Sequence, residues 1–106
     1  MFCRRRCYRN IQDGDITIEE LKNKVLQGAI LIDVRSSQEY KEGHLQGAIN
    51  IPDYDITKRV EREIPKRNQQ IVLYCQYGGR SKSTMGIMKK IGYTNVYNLY
   101  GGLDML

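Results

Sequence analysis

A chain of 106 residues, 41% apolar and 27% charged, suits one compact domain with a single core. The longest purely apolar stretch, AILI at 29–32, falls far short of the ~20 residues of a membrane span, and no apolar segment follows the charged start MFCRRRCYRN as an export signal requires. A helical membrane protein is excluded, and a soluble cytoplasmic one is expected.

Seventeen Lys and Arg against twelve Asp and Glu leave a net charge of +5, enough to steer small anions or an acidic partner weakly. Four arginines, Arg4, Arg5, Arg6 and Arg9, stand among the first nine residues. We therefore expect one domain over 1–106 with a solvated basic arm at 1–7, and no nucleic-acid partner. Three cysteines imply no disulfide framework. Cys3 and Cys7 lack the further ligands a zinc site needs, since only Cys75 and the single His44 remain, so no metal is expected. They read as surface thiols, with a resolving thiol for Cys75 as the lesser alternative.

In chain order, YRNI (8–11) reads as a short first strand and QDGD as a turn. Thr17 opens a helix, with Glu20 completing a capping box and Ile18, Leu21 and Val25 on one face. Gly28 ends it. AILIDV (29–34) is a continuous apolar run, the mark of a strand buried on both faces. Ser36 and Glu39 form a second capping box on a short helix ending near Gly43. AINI (48–51) is a strand stopped by Pro52. Asp55 caps a helix carrying Ile56, Val60 and Ile64, and Pro65 stops it. IVLY (71–74) is the next buried strand, with Cys75 just past its end. Ser81 or Ser83 opens a helix whose apolar side is Thr84, Ile87, Met88 and Ile91, with Lys89 and Lys90 complementing its C-terminal dipole. NVYNL (95–99) is the last strand. Strands and helices alternate, so the expected fold is α/β, an open, mostly parallel five-stranded sheet with helices on both faces. Ligands of such sheets bind outside the carboxyl ends of the strands.

Cys75 lies at such an end, in YCQYGGRSKS. It could be a core thiol, a metal ligand or a nucleophile. Metal ligand fails on ligand count. Core thiol is disfavoured because two glycines, an arginine and a helix start coincide there. The amides of Gln76, Tyr77, Gly78, Gly79, Arg80 and Ser81 can curl around the sulfur, with Gly78 and Gly79 permitting positive φ. The helix dipole and the charges of Arg80 and Lys82 add to this field. All three effects favour thiolate over thiol, giving an activated nucleophile in an anion cradle. They do not name its target.

Three segments carry a resemblance. LIDVRSSQEYKEGHLQGAINIP (31–52), IVLYCQYGGRS (71–81) and VYNLYGGLDML (96–106) resemble, in order, the first signature, the active loop and the terminal strand with its Gly-Gly turn of single-domain rhodaneses. The resemblance implies a rhodanese-like fold and a sulfurtransferase. Cys75 would become a persulfide by taking sulfur from thiosulfate or another small anionic donor, and pass it to a nucleophilic acceptor. Amides of 76–80 would hold the persulfide, Arg80 would brace the loop, and Asp33 and Arg35 would frame the pocket. Tyr77 would sit on the pocket rim, and His44 would have a structural place in a turn. No cofactor is implied. A sulfur-acceptor protein is a partner to consider, and the chain would be a monomer or weak homodimer. The alternatives are a sulfur carrier that docks on a partner without turnover, and a cysteine-dependent phosphatase or arsenate reductase. The latter resemble C-x5-R, whereas Cys75 to Arg80 is C-x4-R, a tighter cradle suited to one sulfur atom. The chain has no Trp, and its terminal segment is short for the family, which leaves the last helix short or absent.

Overall fold

The structure, a computed structural model, describes residues 11–106. Five strands form one all-parallel sheet in the order β1-β5-β4-β2-β3: β1 (Asp15–Ile16), β2 (Ile30–Asp33), β3 (Ile49–Asn50), β4 (Ile71–Tyr74) and β5 (Val96–Leu99). Between them run α1 (Ile18–Leu26), α2 (Ser37–Lys41), α3 (Ile56–Glu63) and α4 (Gly79–Lys90). Short 3-10 turns at Asp53–Asp55 and Gly102–Met105 precede α3 and follow β5.

Alternation along the central strands divides the core into two layers. Ile32, Ile71 and Leu73 face α3 and α4, and pack with Ile56, Val60, Ile64, Met85 and Met88. Leu31, Val72 and Tyr74 face the other way, against Ile18 and Leu21 of α1, with Tyr40 of α2 and Leu103 packed at the margin. The apolar runs at 29–34 and 71–74 are thus covered on both faces, as their composition implies.

Both capping boxes form. Thr17 and Glu20 exchange backbone and side-chain bonds at the start of α1, and Ser36 and Glu39 do so at α2. Each satisfies helix-end amides that would otherwise lack partners, a contribution of about 1 kcal/mol.

Expectations and structure differ at three places. The strand expected at 8–11 lies outside the described residues except for Ile11, which is coil; the first strand among the described residues is β1. It emerges from the segment read as a turn because Asp15 and Ile16 pair in parallel with Asn98 and Leu99. Second, α4 begins at Gly79, before either serine, with Gly78 as its N-cap at φ +98°. Third, Ile87 is exposed: the buried face is Ser81, Thr84, Met85 and Met88, spaced i, i+3, i+4, i+7, with Ile91 partly buried against the core. The Cys3, Cys7 and basic-arm readings fall outside the described residues. No helix among the described residues is long and apolar enough to cross a membrane.

Candidate active site

The parallel sheet delivers the ends of β2, β4 and β5 to one edge, and Cys75 follows β4 there. Its side chain points toward the α3/α4 layer and is 1% exposed. The chain then reverses into α4, and the reversal wraps the sulfur. The Gly78 N–H donates to Cys75 Sγ at 3.0 Å and the Ser81 N–H at 3.4 Å. The Ser81 hydroxyl lies 3.3 Å from the same sulfur. The N-cap amide and one first-turn amide of a twelve-residue helix therefore aim at one sulfur atom, where the helix dipole also favours negative charge. The left-handed turn that achieves this uses Gly78 alone; Gly79 has no positive φ and opens the helix.

The charged residues around this loop are not free. Arg80 grips Glu39 with both guanidinium arms, at 2.8 and 3.0 Å, and so ties the start of α4 to α2. The hydrogen bonds from Arg80 hold the Glu39 carboxyl down at about 2, against the opposing effect of burial. Lys82 Nζ bonds Asp15 Oδ2 at 2.9 Å. The expectation that Arg80 and Lys82 add full positive charges is corrected: each is neutralised by a carboxylate. The groups that reach the sulfur directly are the Gly78 and Ser81 amides and the Ser81 hydroxyl.

Asp33 and Arg35 form a buried pair beside the loop, 0% and 5% exposed. Arg35 donates through Nε and Nη2 to the Asp33 carboxylate, and these bonds hold its guanidinium above its ordinary value despite burial. Nη2 also reaches the Gly43 carbonyl at 2.6 Å and Nη1 reaches Gln76 Oε1 at 3.3 Å. Arg35 thus joins the end of β2 to the first residue of the loop. Gln76 is held by its side chain, whereas Tyr77 is 72% exposed at the rim. His44 stacks on Tyr40 at 3.6 Å between centroids, and its Nδ1 donates to the Tyr40 carbonyl at 2.8 Å. These are turn-building contacts.

Several residues at the site were not singled out from sequence. Ser81 Oγ also donates to Asn98 Oδ1, and Asn98 Nδ2 donates to Asp15 Oδ1 at 3.0 Å, so a polar chain runs behind the sulfur. A signal existed: Asn98 is the polar residue in the otherwise apolar core of β5. The C-terminal turn clasps the loop from outside. Leu103 N–H donates to the Cys75 carbonyl at 3.0 Å and Asp104 N–H to the Gln76 carbonyl at 2.8 Å. A single 3-10 turn, Gly102–Met105, thus follows β5 and reaches back to the loop. Among the described residues no group of three or more His, Cys, Asp or Glu side chains is placed to hold a metal.

The family described as "Rhodanese-like domain" matches residues 17–105. The thiosulfate sulfurtransferase PspE of Escherichia coli is 40% identical over 74 residues, covering 70% of this chain and 71% of that protein. A sulfurtransferase of Allochromatium vinosum is 32% identical over 92 residues, covering 85% and 84%. The human single-domain sulfurtransferase TSTD1 superposes with a TM-score of 0.78 at 28% identity, covering 86% of this chain and 92% of that one. Some other relatives are longer, and the match spans 57% of one and 24% of another. With the match covering every described strand but the short β1, the chain belongs to the rhodanese-like domain family.

Proposed function

We propose that the protein is a sulfurtransferase that carries sulfane sulfur on Cys75. The observation that carries this reading is the seat of Cys75 Sγ, at a strand end and under two amides of a helix N-terminus. The relatives named as sulfurtransferases support the chemical class. The Cys75 thiolate attacks the outer sulfur of a donor such as thiosulfate. A sulfur–sulfur bond forms, the bond to the sulfonate breaks, and sulfite leaves with the electron pair. The terminal sulfur rests in the amide cradle of residues 76–80, braced by Arg80 through Glu39 and by Arg35 through Gln76. An acceptor nucleophile such as cyanide then takes that sulfur and the thiolate is restored, giving ping-pong kinetics.

The pairing of Arg80 weighs against a phosphatase. A loop arginine that binds a tetrahedral oxyanion needs its fork free, and here Glu39 fills it.

Mass spectrometry after exposure to thiosulfate tests the reading. Wild-type protein is expected to gain one sulfur on Cys75, and Cys75→Ser none. No gain, with phosphate released from p-nitrophenyl phosphate, would sink it. Turnover of thiosulfate with cyanide then separates an enzyme from a carrier that only loads.

A further inference from the structure

The reading of Cys75 as nucleophile leaves one buried ionisable group next to the site without a role. Asp15 lies at the edge strand β1 with its side chain fully buried, and it is not adjacent to the sulfur. Burial opposes its charge, but hydrogen bonds from Asn98, Lys82 and the Gln12 backbone together hold its carboxyl below the usual range. It is therefore an acceptor on both oxygens. Oδ2 receives Lys82 Nζ at 2.9 Å and the Gln12 N–H at 2.8 Å, and Oδ1 receives Asn98 Nδ2 at 3.0 Å.

This has a consequence two bonds away. A carboxylate can face only the NH2 end of the Asn98 amide, so the amide oxygen must face Ser81. Ser81 Oγ has one proton and three neighbours: Asn98 Oδ1 at 2.5 Å, the Gly78 carbonyl at 3.2 Å and Cys75 Sγ at 3.3 Å. The nearest is an obligate acceptor, so the proton goes there. The hydroxyl then offers Cys75 only a lone pair. It accepts from a thiol S–H and gives nothing to a thiolate.

We propose that Asp15 and Asn98 are positioning residues that set the reactivity of Cys75 by fixing the direction of the Ser81 hydroxyl proton. The proposal rests on Cys75 being the reacting group. With the lock in place the hydroxyl favours resting thiol, and the amides of Gly78 and Ser81 alone stabilise the thiolate. The lock rests on proximity, since the Asn98 oxygen stands at 2.5 Å and the sulfur at 3.3 Å; without it the hydroxyl has only the Gly78 carbonyl at 3.2 Å and the sulfur to choose between, and at such similar distances it turns its proton to the thiolate, the stronger acceptor, and adds a third donor.

The test reads Cys75 itself. The rate of iodoacetamide alkylation, assigned to Cys75 by peptide mass spectrometry, is followed against pH in wild type, Asn98→Leu, Ser81→Ala and the double variant. The charged groups around the loop are Arg80 with Glu39 of α2, Asp33 with Arg35 of β2, Asp53 ahead of α3, Asp104 of the C-terminal turn, and Lys82 with Asp15. None of these side chains is altered in the three variants. Asn98→Leu is expected to move the alkylation midpoint down by roughly half a pH unit or more, the equivalent of one hydrogen bond. In the Ser81→Ala background the same substitution is expected to move it by nothing measurable, since no hydroxyl remains to turn. A wild-type midpoint for Asn98→Leu, or an equal shift with and without the hydroxyl, would overturn the proposal.

Should Asn98→Leu fail to fold by circular dichroism, Asp15→Asn replaces it. That change also alters charge, so the readout is the difference between its shifts in the two Ser81 backgrounds; no difference overturns the proposal. Failure of Cys75 to gain sulfur from thiosulfate would instead strike the proposed function and leave these profiles standing.

Discussion

Gly102 lies directly under the peptide that begins the active loop. Its φ is +62°, and a Cβ there would stand 2.4 Å from the Cys75 carbonyl oxygen and 2.7 Å from the Gln76 carbonyl. Those atoms are backbone and cannot swing aside. Gly102→Ala is therefore expected to destabilise the protein by at least ~2 kcal/mol, from left-handed strain together with the clash. Sulfur loading should fall further than stability, because the displaced atoms position Cys75. Urea unfolding and the mass gain after thiosulfate, measured on the same sample, check both parts. A variant with unchanged unfolding midpoint and full loading would show that the loop does not need this close approach. Asn98 makes the complementary point: a polar side chain inside a strand is a local oddity in sequence, but its meaning depends on Ser81 and Asp15, which arrive from other elements.

At the scale of elements, α2 does more than cover the sheet. Glu39 completes its capping box and also receives both arms of Arg80 from α4. Its carboxyl is held at about 2, below the ordinary value of 4.5. A folded-state value below the unfolded one means stability present above about 4.5 and lost as pH falls toward 2. The pair is about one-third exposed on each side, so solvent screening keeps its worth to roughly 1 kcal/mol or less. Wild type is expected to exceed Glu39→Gln in unfolding free energy by a constant margin from pH 6 to 8, a margin that narrows from about pH 4.5 downward. Denaturant titrations across that range measure it; a margin unchanged down to pH 2.5 would mean that the carboxylate is not what holds the two helices.

The same pair shows why part of the site was legible and part was not. Thr17 with Glu20 and Ser36 with Glu39 could be read because a capping box is complete within four residues. The strands at 30–33 and 71–74 could be read because both of their faces are apolar. The start of α4 could not, because its N-cap is a glycine with no side-chain bond, and the orphan amides are spent on sulfur instead. β1 is two residues long and exists only by pairing with β5. The neutralisation of Arg80 and Lys82 joins residues 41 and 67 positions apart, a relation that no local pattern encodes.

Across the whole molecule, the sheet order β1-β5-β4-β2-β3 puts the two strands flanking β4 on either side of Cys75. β2 ends at Asp33, whose carboxylate holds Arg35 just beyond the strand, and Arg35 in turn holds Gln76 from one side. β5 ends in the Gly102–Met105 turn, which holds the Cys75 and Gln76 carbonyls from the other. The loop is thus clamped by chain segments that meet only when the sheet is complete. This arrangement separates folding from function in a testable way. Leu103 packs at the margin of the α1 layer, so removing residues 103–106 deletes little of the core. It does leave two loop carbonyls without their protein partners, a loss of about 2 kcal/mol if each bond is worth near 1. The truncated chain is expected to keep the circular dichroism of the sheet and helices. Amide exchange should rise selectively over 75–81, and the rate of sulfur loading should drop about tenfold or more, since ~1.4 kcal/mol of lost positioning is one decade. If loading stayed at the wild-type rate while exchange over the loop rose, the clamp from β5 would be a stabilising contact only, and the positioning of Cys75 would rest on Arg35 and the start of α4.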